Sequence, residues 1–142
     1  MTAFADSSFL LSLYVKDLNS PRVAIAMKHA NLPLLFTDLG ELEIKNGVCL
    51  RLFRKELQPI EGVEALALFR EDVESGIVRI IPLPVSAYQR AAQIAARRTP
   101  SLGTRTLDVL QVASALVLKA DTFYTFDRKQ AKLAATLGLS VP

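Results

Sequence analysis

Two short apolar segments of this chain run straight into an aspartate. No other feature limits the fold as much. Phe4-Ala5-Asp6 closes the first segment and Tyr124-Thr125-Phe126-Asp127 the second. Thr2–Ala5, Leu32–Thr37, Ile77–Ile81 and Thr122–Thr125 are apolar runs of four to six residues, too short for helices, and read as buried strands. Leu139–Val141 reads as a short fifth. Helical spacing of apolar residues covers Ser7–Val15, Ser20 to about Ala30, Asp38 toward Arg54, Ile60–Ser75, Val85–Arg98, Thr106–Ala120 and Arg128–Leu137. Ser20-Pro21 reads as a capping serine followed by a proline in the first turn. Asp38 with Glu41 three residues on has the form of a capping box, and Gly138 stops the last helix. Thr99–Thr104, holding Pro100 and Gly103, reads as a loop. Short apolar strands alternating with helices indicate an α/β fold with a central, mostly parallel sheet of four to five strands, in one domain over residues 1–142. In such sheets, sites form beyond the carboxyl ends of the strands.

Composition removes several function classes. The longest stretches without a charged residue, such as Val109–Leu118, are ten residues, whereas a spanning helix needs ~20 apolar residues. The apolar run Phe9–Val15 is preceded by Asp6 and by no basic residue, which argues against a signal peptide. A single cysteine, Cys49, excludes an internal disulfide framework, and a reducing cytoplasm is the expected setting. With one histidine, His29, the chain lacks the usual ligands of a zinc site. A net charge of +3 permits nucleic acid without demanding it.

Acids recur where a site belongs. Asp6 follows the first strand; Asp38, Glu41 and Glu43 lie in the first turns after the second; Asp108 opens the apolar helix; Asp127 follows Thr122–Thr125. In a parallel sheet these converge on one edge. Crowded carboxylates repel one another, and a divalent cation removes that penalty. Oxygen-only ligands select Mg²⁺ or Mn²⁺, ions that activate water and stabilise charge on a phosphate. Arg97, Arg98 and Arg105 precede Asp108, and Arg128, Lys129 and Lys132 follow Asp127. Cations around an acidic pocket suit a polyanion cut at its backbone. Each acid taken singly also reads as a helix cap or a first-turn acid, worth ~0.3–1 kcal/mol through the helix dipole; order and spacing favour the set. Glu41 sits at the capping-box position, which leaves Glu43 as the stronger candidate on that helix.

The chain resembles the PIN-domain ribonucleases, and within them the VapC-type toxins of toxin–antitoxin pairs. Four blocks carry the resemblance: Phe4-Ala5-Asp6-Ser7-Ser8; Glu43-Ile44-Lys45-Asn46-Gly47; Leu107-Asp108-Val109-Leu110-Gln111-Val112-Ala113-Ser114-Ala115; and Thr125-Phe126-Asp127-Arg128-Lys129-Gln130 with Ala134 and Leu137-Gly138-Leu139. Gln111 stands where the family often has histidine. The resemblance implies a PIN-like three-layer fold and Mg²⁺- or Mn²⁺-dependent endonucleolytic cleavage of RNA. It implies that Asp6, Glu43, Asp108 and Asp127 are the metal-binding acids. Thr125 and Ser7 would be hydroxyls that orient a carboxylate, and Asn46 a polar contact near the site. Arg97, Arg98, Arg105, Arg128 and Lys129 are the candidate RNA contacts. A homodimer and a cognate VapB-like antitoxin that blocks the site are implied as partners, with no membrane. The apolar helices around Phe9–Tyr14 and Val63–Phe69 exceed what a core of this size is expected to bury, and point to a protein interface. The competing reading is a PIN-like module that holds RNA or protein without cutting. Phosphoaspartyl chemistry fits poorly, because Ser7-Ser8 follows Asp6 where a second acid would stand, and no P-loop or G-x-G-x-x-G is present.

Overall fold

A computed structural model describes residues 1–142. The chain order is β1 (Ala3–Ala5), α1 (Ser7–Tyr14), α2 (Ser20–His29), β2 (Leu34–Thr37), α3 (Asp38–Phe53), α4 (Pro59–Glu74), β3 (Val78–Ile81), α5 (Ser86–Leu102), α6 (Thr106–Val117), β4 (Thr122–Tyr124) and α7 (Arg128–Thr136). The four strands form one parallel sheet in the order β3-β2-β1-β4. In register, Ala3 pairs with Leu34 on one side and Thr122 on the other. The fifth strand shrinks to a single parallel bridge between Thr122 and Ser140; Pro142, two residues on, has no N–H with which to extend it.

Period-two alternation along the strands splits the core into two layers. Ala3, Ala5, Leu34, Phe36 and Tyr124 face the cluster formed with α1–α4. Phe4, Leu35 and Phe123 face the cluster formed with α5–α7. This is an α/β/α sandwich, whose parallel sheet is covered on both faces. The first three strands are laid down in one direction, and the chain then returns to place β4 on the far side of β1. The strand order therefore reverses between β1 and β4, the position beyond whose carboxyl ends parallel sheets hold their sites. No helix is long and apolar enough to cross a membrane.

Several local expectations change. Thr37, not Asp38, caps α3: its hydroxyl accepts from Gly40 N at 3.2 Å. Asp38 lies inside the first turn, and its Oδ1 accepts from Leu83 N at 3.0 Å, tying α3 to the segment after β3. Glu41 closes no capping box and instead pairs with Lys45 at 3.7 Å; the reciprocal box belongs to Gln58 and Glu61 at the start of α4. Ser20 is the first residue of α2, and its hydroxyl turns back to Ser12 O at 3.0 Å. Helix α5 continues through Pro100 to Leu102. The missing N–H falls in the last turn, where one lost bond is tolerated; Gly103, at φ 64°, then ends the helix, donating to Thr99 O at 2.8 Å. Helix α1 is buried rather than left for a partner: Phe9, Leu10 and Tyr14 all lie in the core. Val63 and Leu68 of α4 do remain exposed.

Two glycines let α3 approach closely. A Cβ on Gly40 would overlap the Phe36 ring, and one on Gly47 would stand 2.7 Å from Leu11 Cδ1. That approach fixes the height of Glu43, which lies between them on α3.

Candidate active site

The region beyond β1 and β4 is lined by hydroxyl, amide and carboxyl groups. Asp6 follows β1, is 4% exposed, and caps α1 by accepting from Phe9 N at 3.1 Å. Its Oδ1 also accepts from Ser8 Oγ at 2.7 Å, and its Oδ2 accepts from Thr125 Oγ1 at 2.9 Å. Burial pushes this carboxyl up to about 7; the hydrogen bonds from Ser8, Phe9 N and Thr125 oppose the shift, and Glu43 nearby adds to it. Helix capping and membership of the acidic cluster are thus the same geometry at Asp6.

Thr125 carries one proton and faces two acceptors, Asp6 Oδ2 at 2.9 Å and Gln130 Oε1 at 2.8 Å. It accepts in turn from Asp127 N at 3.0 Å. The β1–α1 turn is locked to the β4–α7 turn again by Ser8, whose hydroxyl accepts from Phe126 N at 3.0 Å. Asp127 caps α7, accepting from Gln130 N at 2.8 Å. Gln130 is buried and donates to Asp108 O at 3.2 Å, which joins α7 to the first turn of α6.

Glu43 reaches the same region from α3. Its Oε1 accepts from Gln111 Nε2 of α6, and Gln111 Oε1 accepts from Thr37 at 3.4 Å. Desolvation raises the Glu43 carboxyl, the Gln111 bond opposes this, and Asp108 adds repulsion. Asp108 is raised by desolvation as well, with Arg105 opposing and Asp127 reinforcing the shift. Asp6, Glu43, Asp108 and Asp127 therefore form a chain of electrostatic neighbours. Arg105 sits among them: Nε is 3.1 Å from Asp108 Oδ2 and an Nη is 3.7 Å from Asp127 Oδ2. Its side chain is 79% exposed, so this cation is free to leave.

The structure separates the sequence candidates. Glu43 joins the other acids, while Glu41 faces α4 beside Lys45 and Arg70. Ser7 makes no hydrogen bond to Asp6; Ser8 occupies that role, because the second residue after a capping acid turns its hydroxyl back to the cap. Asn46 is exposed one turn beyond Glu43 and makes no side-chain hydrogen bond. Arg128 and Lys129 are exposed on the first turn of α7, whereas Arg97 and Arg98 stand farther off, in the last turns of α5. Gln130 and the pairing of Thr37 with Gln111 went unassigned in the sequence. The available signal was a glutamine at helical spacing with Leu133 and Ala134, a polar residue on a core-facing stripe.

The donor set is chemically suited to a hard divalent cation. All four ionisable side chains are carboxylates, and burial raises the cost of charging three of them. As they stand, no three acids close on one ion: Asp6 is held by Ser8 and Thr125, Glu43 by Gln111, and Asp108 and Asp127 share Arg105. The largest cavity, about 500 Å³, lies on the other side of Thr125, beside Arg22, His29 and Phe126, and contains none of the acids.

Solved structures of similar fold include VapC20 of Mycobacterium tuberculosis, described as a Sarcin-Ricin loop cleaving toxin. It matches with a TM-score of 0.70 and 16% identity over 92% of this chain and 94% of its own. FitAcB of Neisseria gonorrhoeae matches with a TM-score of 0.68 and 19% identity, over 99% and 96% of the two chains. PAE2754 of Pyrobaculum aerophilum matches at 0.63 and 16%, over 99% and 89%. No curated protein sequence matches. The sequence profile of the PIN domain covers residues 3–136, the whole span from β1 to the end of α7. The chain therefore belongs to the PIN domain family.

Proposed function

We propose that the protein is a Mg²⁺- or Mn²⁺-dependent endoribonuclease that cuts RNA phosphodiesters, the toxin of a type II toxin–antitoxin pair. One observation carries this reading: four carboxylates from four elements are electrostatic neighbours around the strand-order reversal of a PIN fold, three of them with raised proton affinity. Family membership supports nuclease chemistry, and the likeness to VapC20 supports the toxin reading.

Asp6, Asp108 and Asp127 would hold the cation, with Glu43 as a further ligand or as the group that orients water. The bound ion would lower the pKa of a water and stabilise charge on the phosphate. The protein's part is positional. Ser8 and Thr125 fix both oxygens of Asp6, Gln111 fixes Glu43, and Gln130 ties α7 to α6. Arg105, Arg128 and Lys129, exposed at the rim, would meet the substrate's phosphates. Arg105 must leave Asp108 and Asp127 when a cation enters, which frees it to pair with the RNA. No histidine belongs to the cluster, so general base work by imidazole has no candidate here. Exposed Phe53 at the end of α3 and Ile60 and Val63 on α4 leave apolar surface for a second copy or an antitoxin.

The test is cleavage of a mixed RNA pool with Mg²⁺ or Mn²⁺. The wild type cuts, EDTA stops the reaction, and Asp6→Asn is inactive yet folded. Unchanged cleavage by that variant would sink the assignment. A second reading, a PIN-like module that binds without cutting, is favoured by the pairing of Arg105 with two of the acids. RNA bound with strong salt dependence and never cut with Mn²⁺ would select it.

A further inference from the structure

Charge is divided between the two helical layers. Residues 1–74, which build α1–α4, hold eight basic and eleven acidic residues; residues 75–142, which build α5–α7, hold nine and three. No Asp or Glu occurs from Ser75 to Leu107, nor from Arg128 to the end. Helices α5 and α7 thus carry Arg90, Arg97, Arg98, Arg128, Lys129 and Lys132 with no acid, and none of the six forms an ion pair. Unpaired cations on two adjoining helices repel one another unless an anion lies between them.

A groove of about 220 Å³ runs along α5, lined by Arg90, Gln93, Ile94, Arg97 and Arg98 and closed by Leu137 at the end of α7. On α5 these positions recur at three, four, seven and eight residues and so share one face. The end of α5 lies close to the start of α7, which follows Asp127. Lys129 Nζ lies 3.7 Å from where a Cβ would stand on Gly103, the residue that ends α5, and Lys129 is two residues past Asp127. From Arg90 to Gly103 the helix rises about 20 Å. Free cations therefore stand on both helices, Lys129 beside the end of α5 and Arg98, Arg97 and Arg90 along the groove.

We infer that this α5–α7 groove is the track for the phosphate backbone of single-stranded RNA on one side of the scissile bond, with Arg90, Arg97 and Arg98 as its contacts. The inference rests on the ribonuclease reading and adds the direction in which substrate leaves the site. Its chemistry favours a nucleic-acid backbone over an acidic peptide because four of its six lining residues are polar and its guanidinium groups repeat at helical intervals, with Ile94 and Leu137 as the apolar walls.

Backbone contacts are sequence-independent, so the probe need not be the natural target. A fluorescein-labelled 20-nucleotide single-stranded RNA is titrated in EDTA by anisotropy at several salt concentrations. The proteins are wild type, Arg90→Gln/Arg97→Gln/Arg98→Gln, and a charge-matched control, Lys16→Gln/Lys28→Gln/Arg70→Gln, on the opposite layer. Removing three contacts lowers the slope of log K against log salt by about 2, and affinity at low salt falls at least tenfold. The control changes both far less. Equal losses in both triples would show that net charge alone acts, and would overturn the track. Unchanged RNA binding in the α5 triple would overturn it too while leaving cleavage, and the ribonuclease reading, standing. Loss of binding to polyglutamate but not to RNA would reassign the groove to an acidic protein segment. A wild type that neither binds nor cuts RNA would remove both readings together.

Discussion

Thr125 Oγ1 lies 2.9 Å from Asp6 Oδ2, in hydrogen-bond contact between residues 119 apart in sequence. The bond exists because β4 pairs directly with β1, Ala5 opposite Tyr124, so the first residues past the two strands meet. A hydroxyl on one and a carboxylate on the other are held where the strand order reverses.

Replacing Thr125 by valine keeps the volume and deletes the hydroxyl. Asp6 Oδ2 and Asp127 N each lose a partner in a buried setting. Such losses cost about 1–3 kcal/mol apiece. Urea denaturation is expected to show a loss of about 2 kcal/mol or more for Thr125→Val, with most of it recovered in Thr125→Ser. RNA cleavage should fall with Thr125→Val and return with serine.

The proton on Asp6 sets a pH dependence. Burial pushes its carboxyl up to about 7, from the ordinary aspartate value of 3.8. Between those values the folded state binds more protons than the unfolded one, so this contribution is complete at acid pH and is lost as pH rises toward and through 7. The span corresponds to something on the order of 4 kcal/mol. Asp6→Asn retains the cap and removes the charge. It should melt higher than wild type at pH 8 in EDTA, and the gap should close on going to pH 4. A variant less stable than wild type at pH 8 would contradict the burial argument.

Gln111 holds Glu43 from α6. Gln111→Leu leaves Glu43 and Thr37 without that partner, and should cost about 1–3 kcal/mol and lower cleavage. Gln111→His restores a ring N–H donor and should recover most activity. The comparison is made at saturating Mn²⁺, so a defect in metal affinity alone does not mimic it.

Arg105→Gln removes the cation that Asp108 and Asp127 share. Arg105 itself is largely exposed, so stability should move by no more than about 1 kcal/mol. Affinity for Mn²⁺, read by calorimetry, should rise several-fold, because the ion no longer displaces a guanidinium. Weaker binding would show that Arg105 organises the acids rather than competing for them.

Much of this was legible in the sequence, for identifiable reasons. Strands such as Leu34–Thr37 are continuous apolar runs because the parallel sheet is buried on both faces. Asp6 and Asp127 were placed by position, each directly after a strand. What escaped was side-chain direction. Ser7 and Ser8 are equivalent on paper, and the turn after Asp6 decides which hydroxyl points back. Glu41 and Glu43 lie on one helix, and packing against α4 on one side and α6 on the other separates them. Pro100 was read as a break because proline blocks helix interiors, but in the final turn it removes only one bond. Asp38 lost the cap to Thr37 because the helix starts a residue earlier than the acid suggested.

The central claim is that the acids at the β1–β4 reversal form a cation site. Calorimetric titration of Mn²⁺ into wild type and Asp6→Asn tests it without needing the right RNA. The account predicts saturable binding by the wild type, absent from a variant shown to be folded by circular dichroism. Binding that survives in Asp6→Asn, or a wild type that takes up no Mn²⁺ either alone or with single-stranded RNA present, would contradict it.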